Sequence, residues 1–310
     1  MLSGAGSVAD LPPFTFATIF TEWGVDPFLF VATVWVVGLY LFGVWVLHSR
    51  GDRWPWARTL NFVVVGMGIF YFATSSGVAA YDTTLLSVHM VQHMLLSMLV
   101  PLFLALGAPV TLMLRTLPAR PRRWLLVVLH SRLARVLSFP PLTFLLFVIS
   151  PWALYFTGWY DASLRSTFVH EMMHVHLVLV GSLFFWPLVG ADPVPGRVGF
   201  PFRLLLIVLT LPFHAFLGVT IMDQTTLIGG SWYRSLPMSW LPDPAADQHL
   251  AGGILWGSGD LIGMVFFAVL FVQWVRSSLR EGAREDRRLD RLDAAALRRT
   301  TSAPPDAPDR

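Results

Sequence analysis

The residues of this chain best suited to chemistry are histidines arranged in pairs. His89 and His93 lie four positions apart within the apolar stretch SVHMVQHMLLSMLVPLF, and His170 and His174 repeat that spacing. Residues four apart share one face of an α-helix, so each pair is predicted to present two imidazoles to the same side. Two such pairs at similar depth could converge on one metal ion. His176 is rotated by about 200° from His174 and is predicted to face elsewhere.

The absence of cysteine limits the metal chemistry that these histidines can support. It excludes disulfides, zinc–thiolate sites and iron–sulfur clusters. Imidazole with thioether and without thiolate favours copper, particularly Cu(I). The methionines near the histidines, each also an ordinary packing residue, are Met90, Met94, Met98, Met172, Met173 and Met222. Zinc with Glu171, Asp223 or Asp247 as a further ligand, and haem b held by two histidines, stay open as alternatives.

A very apolar chain carries these side chains. Hydrophobic residues make up 55% of it and charged residues 13%, and the mean hydropathy is +0.61. These values predict an all-α polytopic membrane protein. A spanning helix needs about 20 apolar residues, and seven stretches qualify as transmembrane helices: 27–47, 59–80, 85–114, 138–157, 167–189, 204–222 and 249–275. Pro101 and Pro109 are predicted to kink or end the long third stretch.

The arginines predict how these helices are oriented. Of the 22 basic residues, all arginines, 20 fall in alternate loops and the tail, while Arg165 and Arg234 lie on the other side. Because positive charge accumulates on the cytoplasmic side, the N-terminus is predicted outside and the C-terminus in the cytoplasm. His89, His93, His170 and His174 then lie toward the outer face. His214 falls near the middle of the membrane and His249 at the outer surface.

Three regions follow from this topology. Residues 1–26 are predicted to be an extracytoplasmic segment without a cleaved signal peptide, and residues 27–275 form the seven-helix transmembrane domain. Residues 276–310 are predicted to be a charged cytoplasmic tail with a disordered end. Residues 121–139 are predicted to form an interfacial helix on the cytoplasmic face. Asp260, deep in the last stretch, is either a partner of a histidine or a helix–helix contact.

Four segments, taken together, resemble the CtaG family of cytochrome c oxidase assembly factors, which serves caa3-type oxidase. They are SVHMVQHMLLSMLVPLFLALGAPVTLMLR, WYDASLRSTFVHEMMHVHLVLVGSLFFWPLVGADP, LPFHAFLGVTIM and DQHLAGGILWGSGDL. The resemblance covers residues 20 to 275. It implies a seven-span protein of the bacterial inner membrane that assists maturation of haem–copper oxidase and delivers copper to the CuB centre of subunit I. It carries over six residues as candidate metal ligands: His89, His93, His170, His174, His214 and His249.

The expected partners are therefore cytochrome c oxidase subunit I and membrane lipid, with no nucleic acid. Catalytic turnover is not implied. Rival hypotheses are a bis-histidine haem b redox protein, a copper or zinc permease, and a scaffold that holds oxidase subunits without metal. A permease would need polar groups through the inner half of the bundle. In this sequence the polar groups stop near His214 and Asp260, which argues against transport.

Overall fold

The computed structural model describes residues 11–196 and 198–301. Within these ranges the chain is helical and contains no β-strand. It divides into two compact units, Met1–Met264 and Val265–Arg310. The first unit holds every histidine. In the second, the charged side chains from residue 276 to residue 292 are exposed and helical, while the predicted disordered end lies in residues 302–310, outside the described residues.

Eight helical segments matter for the site, and their bounds are as follows: α1 Pro27–Ser49, α2 Trp56–Tyr81, α3 Leu86–Thr116, α4 Pro140–Phe156, α5 Trp159–Arg165, α6 Thr167–Val189, α7 Phe200–Asp223 and α8 Pro244–Thr301. Six of them are long and apolar enough to cross a membrane alone. The pair α4 and α5 passes the same test together but bends by 64° between its parts. The protein is thus a multi-pass membrane protein with six spans, or seven when the bent pair counts as one.

Helices α2 and α3 are each built from shorter pieces. In α2 these are Trp56–Thr59, the π-helical Leu60–Gly66, Met67–Ser75 and Gly77–Tyr81; in α3 they are Leu86–Met94, the π-helical Leu95–Leu99, Val100–Leu106 and Pro109–Thr116. Both predicted proline effects in α3 are confirmed. The π-helical piece ends two residues before Pro101, which lacks the N–H that an α-helix needs. Pro109 begins the last piece after Ala108, whose φ of 50° breaks the helix.

Glycines set the closest helix contacts near the site. A Cβ on Gly181 of α6 would lie 2.0 Å from the carbonyl oxygen of Ser97 in α3, so only glycine fits at this crossing. Pro101 has no N–H to bond the carbonyl of Ser97, four residues earlier, as an α-helix would require. Gly218 of α7 and Gly252 of α8 approach one another in the same way. Small residues allow such close packing between membrane helices.

The predicted interfacial helix is present as two helices, Ala119–Leu129 and Arg132–Leu137. They are separated at Ser131, whose hydroxyl accepts a hydrogen bond from the Ala134 amide and starts the second helix. Neither helix contains a buried residue, and Trp124 is 72% exposed. Exposed apolar and arginine side chains on the same short helices are typical of segments that lie along a membrane surface.

Candidate metal site

Two histidines and one aspartate form a buried cluster in the first unit. His170 and His174 lie one turn apart on α6, with ring centroids 4.5 Å apart, and Asp82 lies in the turn between α2 and α3. The His170 Nε2 atom is 2.9 Å from Asp82 Oδ2, and the His174 Nε2 atom is 3.7 Å from the same oxygen. One ligand atom from each residue lies within 4.8 Å of the others. We call these three residues the carboxylate cluster.

The hydrogen bonds assign protons within the carboxylate cluster. Asp82 accepts from His170 Nε2, and Gln92 Oε1 accepts from His174 Nε2 over 3.0 Å. The Gln92 amide cannot be reversed, because its nitrogen donates to the Ala73 carbonyl at 2.9 Å. Both imidazoles therefore carry a proton on Nε2. Their Nδ1 atoms are buried and, among the described residues, have no hydrogen-bond partner.

Glu171 supplies a second carboxylate beside His174. Its Oε2 atom lies 3.5 Å from His174 Nδ1 and is buried without a hydrogen bond among the described residues. When a metal takes the Nε2 atom of a histidine, the ring proton moves to Nδ1 and usually points at a carboxylate or carbonyl. Glu171 lies where it can accept such a proton, which suits His174 to metal binding.

The electrostatics of Asp82 fit an anionic ligand. Burial acts to raise the pKa of this carboxyl, but the neighbouring His170 and His174 imidazoles outweigh burial and hold the pKa below its usual range. Asp82 is only 3% exposed, and its negative charge stands against two imidazoles. Such a buried charge attracts a cation into the space between the donors.

The donor set of the carboxylate cluster fits a divalent transition ion. Two imidazoles and one carboxylate form a donor set that Zn²⁺ and Cu²⁺ accept. Asp82 was missed by sequence reasoning, which considered Glu171, Asp223 and Asp247. A signal was present, since Asp82 is a lone carboxylate between two apolar stretches, seven residues before His89. Acidic residues within a membrane span, or at its edge, usually have a function.

The other histidine pair shares a tyrosine hydroxyl. His89 Nε2 lies 3.1 Å from the Tyr155 hydroxyl oxygen, and His93 Nδ1 lies 2.9 Å from the same atom. The prediction that these two imidazoles share one helix face is confirmed by this common partner. Sequence reasoning missed Tyr155, which lies on α4, more than 60 residues from both histidines.

The remaining predicted residues lie apart from the carboxylate cluster. His214 is buried, and its Nδ1 donates to the Thr210 carbonyl at 3.1 Å. His249 is exposed, with Nδ1 3.5 Å from the Met222 carbonyl oxygen. His176 faces away from His174, as predicted, and pairs with the Ser150 hydroxyl at 2.6 Å.

Two acids noted in the sequence also have local partners. Asp260 accepts a hydrogen bond from Trp256 Nε1 at 2.8 Å, one turn away on the same helix. Asp247 accepts from both the backbone amide and the hydroxyl of Ser87, at the start of α3. Asp247 therefore links the first turn of α8 to the helix that carries His89 and His93.

The fold and the site define a class: an all-helical, multi-pass membrane protein with a buried carboxylate–imidazole cluster. Within this class, the chain belongs to the cytochrome c oxidase caa3 assembly factor (Caa3_CtaG) family, whose family model matches residues 38–277. This finding confirms the resemblance noted in the sequence.

Curated relatives come from mycobacteria. Uncharacterized proteins of Mycobacterium bovis and Mycobacterium tuberculosis are each 41% identical over 289 residues, and one of Mycobacterium leprae is 39% identical over 290 residues. The alignments cover 91% of this chain but only 44% of each relative. The chain therefore spans less than half the length of these relatives. No solved structure matches it.

Proposed function

We propose that this protein is a copper-delivering assembly factor for cytochrome c oxidase. In this proposal it lies in the bacterial inner membrane, holds copper as cargo on Asp82, His170 and His174, and passes the ion to the CuB site of oxidase subunit I. Family membership supports the link to oxidase assembly. The observation that supports the copper role is the convergence of three buried ligand atoms within 4.8 Å.

The carboxylate cluster has properties that suit a transfer site. Three protein donors leave a transition ion with an open position, so that an incoming ligand of the client binds before a resident one leaves. Binding requires an unprotonated Nε2 atom on each imidazole, so the ring proton must shift to Nδ1 as the ion is loaded. Glu171 can accept the proton that shifts to Nδ1 of His174. The arginine distribution predicts that this cluster lies toward the outer face, where copper arrives.

The charge of the donors bears on the oxidation state of the cargo. The thioether-rich set expected from the sequence favours Cu(I), whereas the Asp82 carboxylate makes the cluster better suited to Cu²⁺. Met173 is fully buried on α6 and Met172 is exposed, which is consistent with a packing role for Met173 and no fixed role for Met172. We therefore place Cu²⁺ at the carboxylate cluster.

The test compares oxidase assembled with native and altered protein in the bacterium that encodes this chain. The chromosomal gene is replaced by a copy with Asp82→Asn and His174→Gln, and the terminal oxidase is purified for haem and copper analysis. We expect oxidase that contains haem but lacks CuB. His176→Gln is the matched control, because His176 lies two residues further along α6 and, in the part of the chain that the structure describes, its hydrogen-bond partner is Ser150. Normal copper in oxidase from the double variant, with that variant present in the membrane, would refute the proposal.

A further inference from the structure

A cavity within the helix bundle has a composition different from that of the carboxylate cluster. His93 of α3 and His214 of α7 both line it. Its other lining residues are serine, proline and apolar residues, with no carboxylate among them. We call this space the imidazole cavity.

The proton on His214 can be placed from its hydrogen bond. Its Nδ1 atom faces the Thr210 carbonyl, which can only accept, so Nδ1 carries the proton. In a neutral imidazole the other nitrogen, Nε2, then has a free lone pair. Among the described residues, Nε2 of His214 has no hydrogen-bond partner. A backbone-anchored histidine with a free Nε2 is the usual form of a metal-ligating histidine.

Tyr155 controls whether His93 offers a lone pair in the same way. Its hydroxyl lies between His89 Nε2 and His93 Nδ1, but it has only one proton to donate. When that proton points to His89, the hydroxyl accepts from Nδ1 of His93. The Nε2 atom of His93, which has no hydrogen-bond partner among the described residues, then has a free lone pair. Tyr155 is thus a positioning residue for His93.

We propose that the imidazole cavity is a second metal site, separate from the carboxylate cluster, which binds Cu(I) between His93 and His214. Two neutral nitrogen donors and the absence of a carboxylate suit a monovalent ion, because a divalent ion would bring two unneutralised charges into an apolar space. Imidazole is a suitable ligand for copper. This inference requires only that the chain binds Cu(I), and it does not depend on delivery to an oxidase.

The experiment loads the purified full-length protein in detergent with two probes. Zn²⁺ is added first to occupy the carboxylate cluster, and Cu(I) is then added under anaerobic reducing conditions. Bound zinc and copper are counted after desalting, and the copper coordination is measured by X-ray absorption. We expect the native protein to retain both metals, with copper bound by nitrogen and not by sulfur. The variants are His214→Gln on α7 and His93→Gln on α3.

Each variant should lose Cu(I) and keep Zn²⁺, whereas Asp82→Asn should lose Zn²⁺ and keep Cu(I). His249→Gln is the control and should keep both metals, because His249 is exposed and lines neither site. Should one cavity variant fail to fold, as judged by gel filtration, the other gives the same decision from a different helix. Retention of Cu(I) by either folded variant would overturn the proposal. Joint loss of both metals from a folded cavity variant would also overturn it, since the two sites would then be one. Failure of this test leaves the oxidase copper measurement above unaffected.

Discussion

The carboxylate cluster and the imidazole cavity are built from the same kind of side chain but differ in charge. In the carboxylate cluster, two histidines donate protons toward Asp82 and Gln92, and a buried negative charge stands between the helices. In the imidazole cavity, the histidines are held by a backbone carbonyl and a tyrosine hydroxyl, and no acid lines the space. The comparison teaches that the partners of a histidine, more than its spacing, decide which ion it suits.

Both regions depend on the crossing of α3 with α6. Helix α3 carries Gln92 and His93, and α6 carries His170 and His174. The two helices approach closely where Gly181 meets the Ser97 carbonyl. A change at that crossing should therefore affect both sites. Changes elsewhere should affect one site and leave the other intact.

The largest effect is expected from Gly181→Ala. The added Cβ would lie 2.0 Å from a backbone oxygen, so the helices must move apart. We expect the loss of both Zn²⁺ and Cu(I) binding and a fall of about 1–3 kcal/mol in the free energy of unfolding, which is typical of overpacking. Metal counting and thermal unfolding in detergent would measure these changes.

Gly253→Ala is the matched control for this change. Gly253 also lies within a helix, but a Cβ there would have no atom within 4 Å. It should retain both metals and its native stability. If Gly181→Ala kept either metal at full affinity, the α3–α6 crossing would not be the common support of the two sites.

A smaller and selective effect is expected from Tyr155→Phe. This change removes the hydroxyl that contacts His89 and His93 while leaving the ring. Loss of such a supporting hydrogen bond typically lowers metal affinity about 10–100-fold. We expect this loss for Cu(I) and unchanged affinity for Zn²⁺, measured by competition with chelators of known affinity. A parallel loss of Zn²⁺ affinity would indicate that Tyr155 supports the bundle as a whole and does not position His93.

The sequence allowed the helices and the histidine pairs to be predicted because these depend on local patterns. Apolar stretches of sufficient length marked the spans, and the four-residue spacing placed His89 with His93 and His170 with His174. The bend between α4 and α5 was not predicted, since the predicted span 138–157 ends before α5.

The partners of the histidines could not be predicted because they come from distant parts of the chain. Asp82 and His170 are 88 residues apart, and Tyr155 is 66 residues from His89. Their proximity depends on which helices pack together, and a single sequence carries no periodic signal for that. His249 was predicted as a ligand from its position at the start of a span, but its side chain is exposed and joins no site.

The smallest effect on metal binding is expected from Asp192→Asn, at the far end of α3 and α6. The Asp192 carboxylate accepts hydrogen bonds from the Val110 and Thr111 amides, the Thr111 hydroxyl and Trp186 Nε1. Loss of its charge should lower the free energy of unfolding by about 1–3 kcal/mol, because buried donors lose a charged acceptor.

Trp186 is twelve residues beyond His174 on α6, about 18 Å along the helix. Both metals should therefore bind with native affinity while the unfolding temperature falls. If Zn²⁺ or Cu(I) affinity fell as well, the two ends of the α3–α6 pair would be coupled, and the two sites could not be treated as independent of the helix ends.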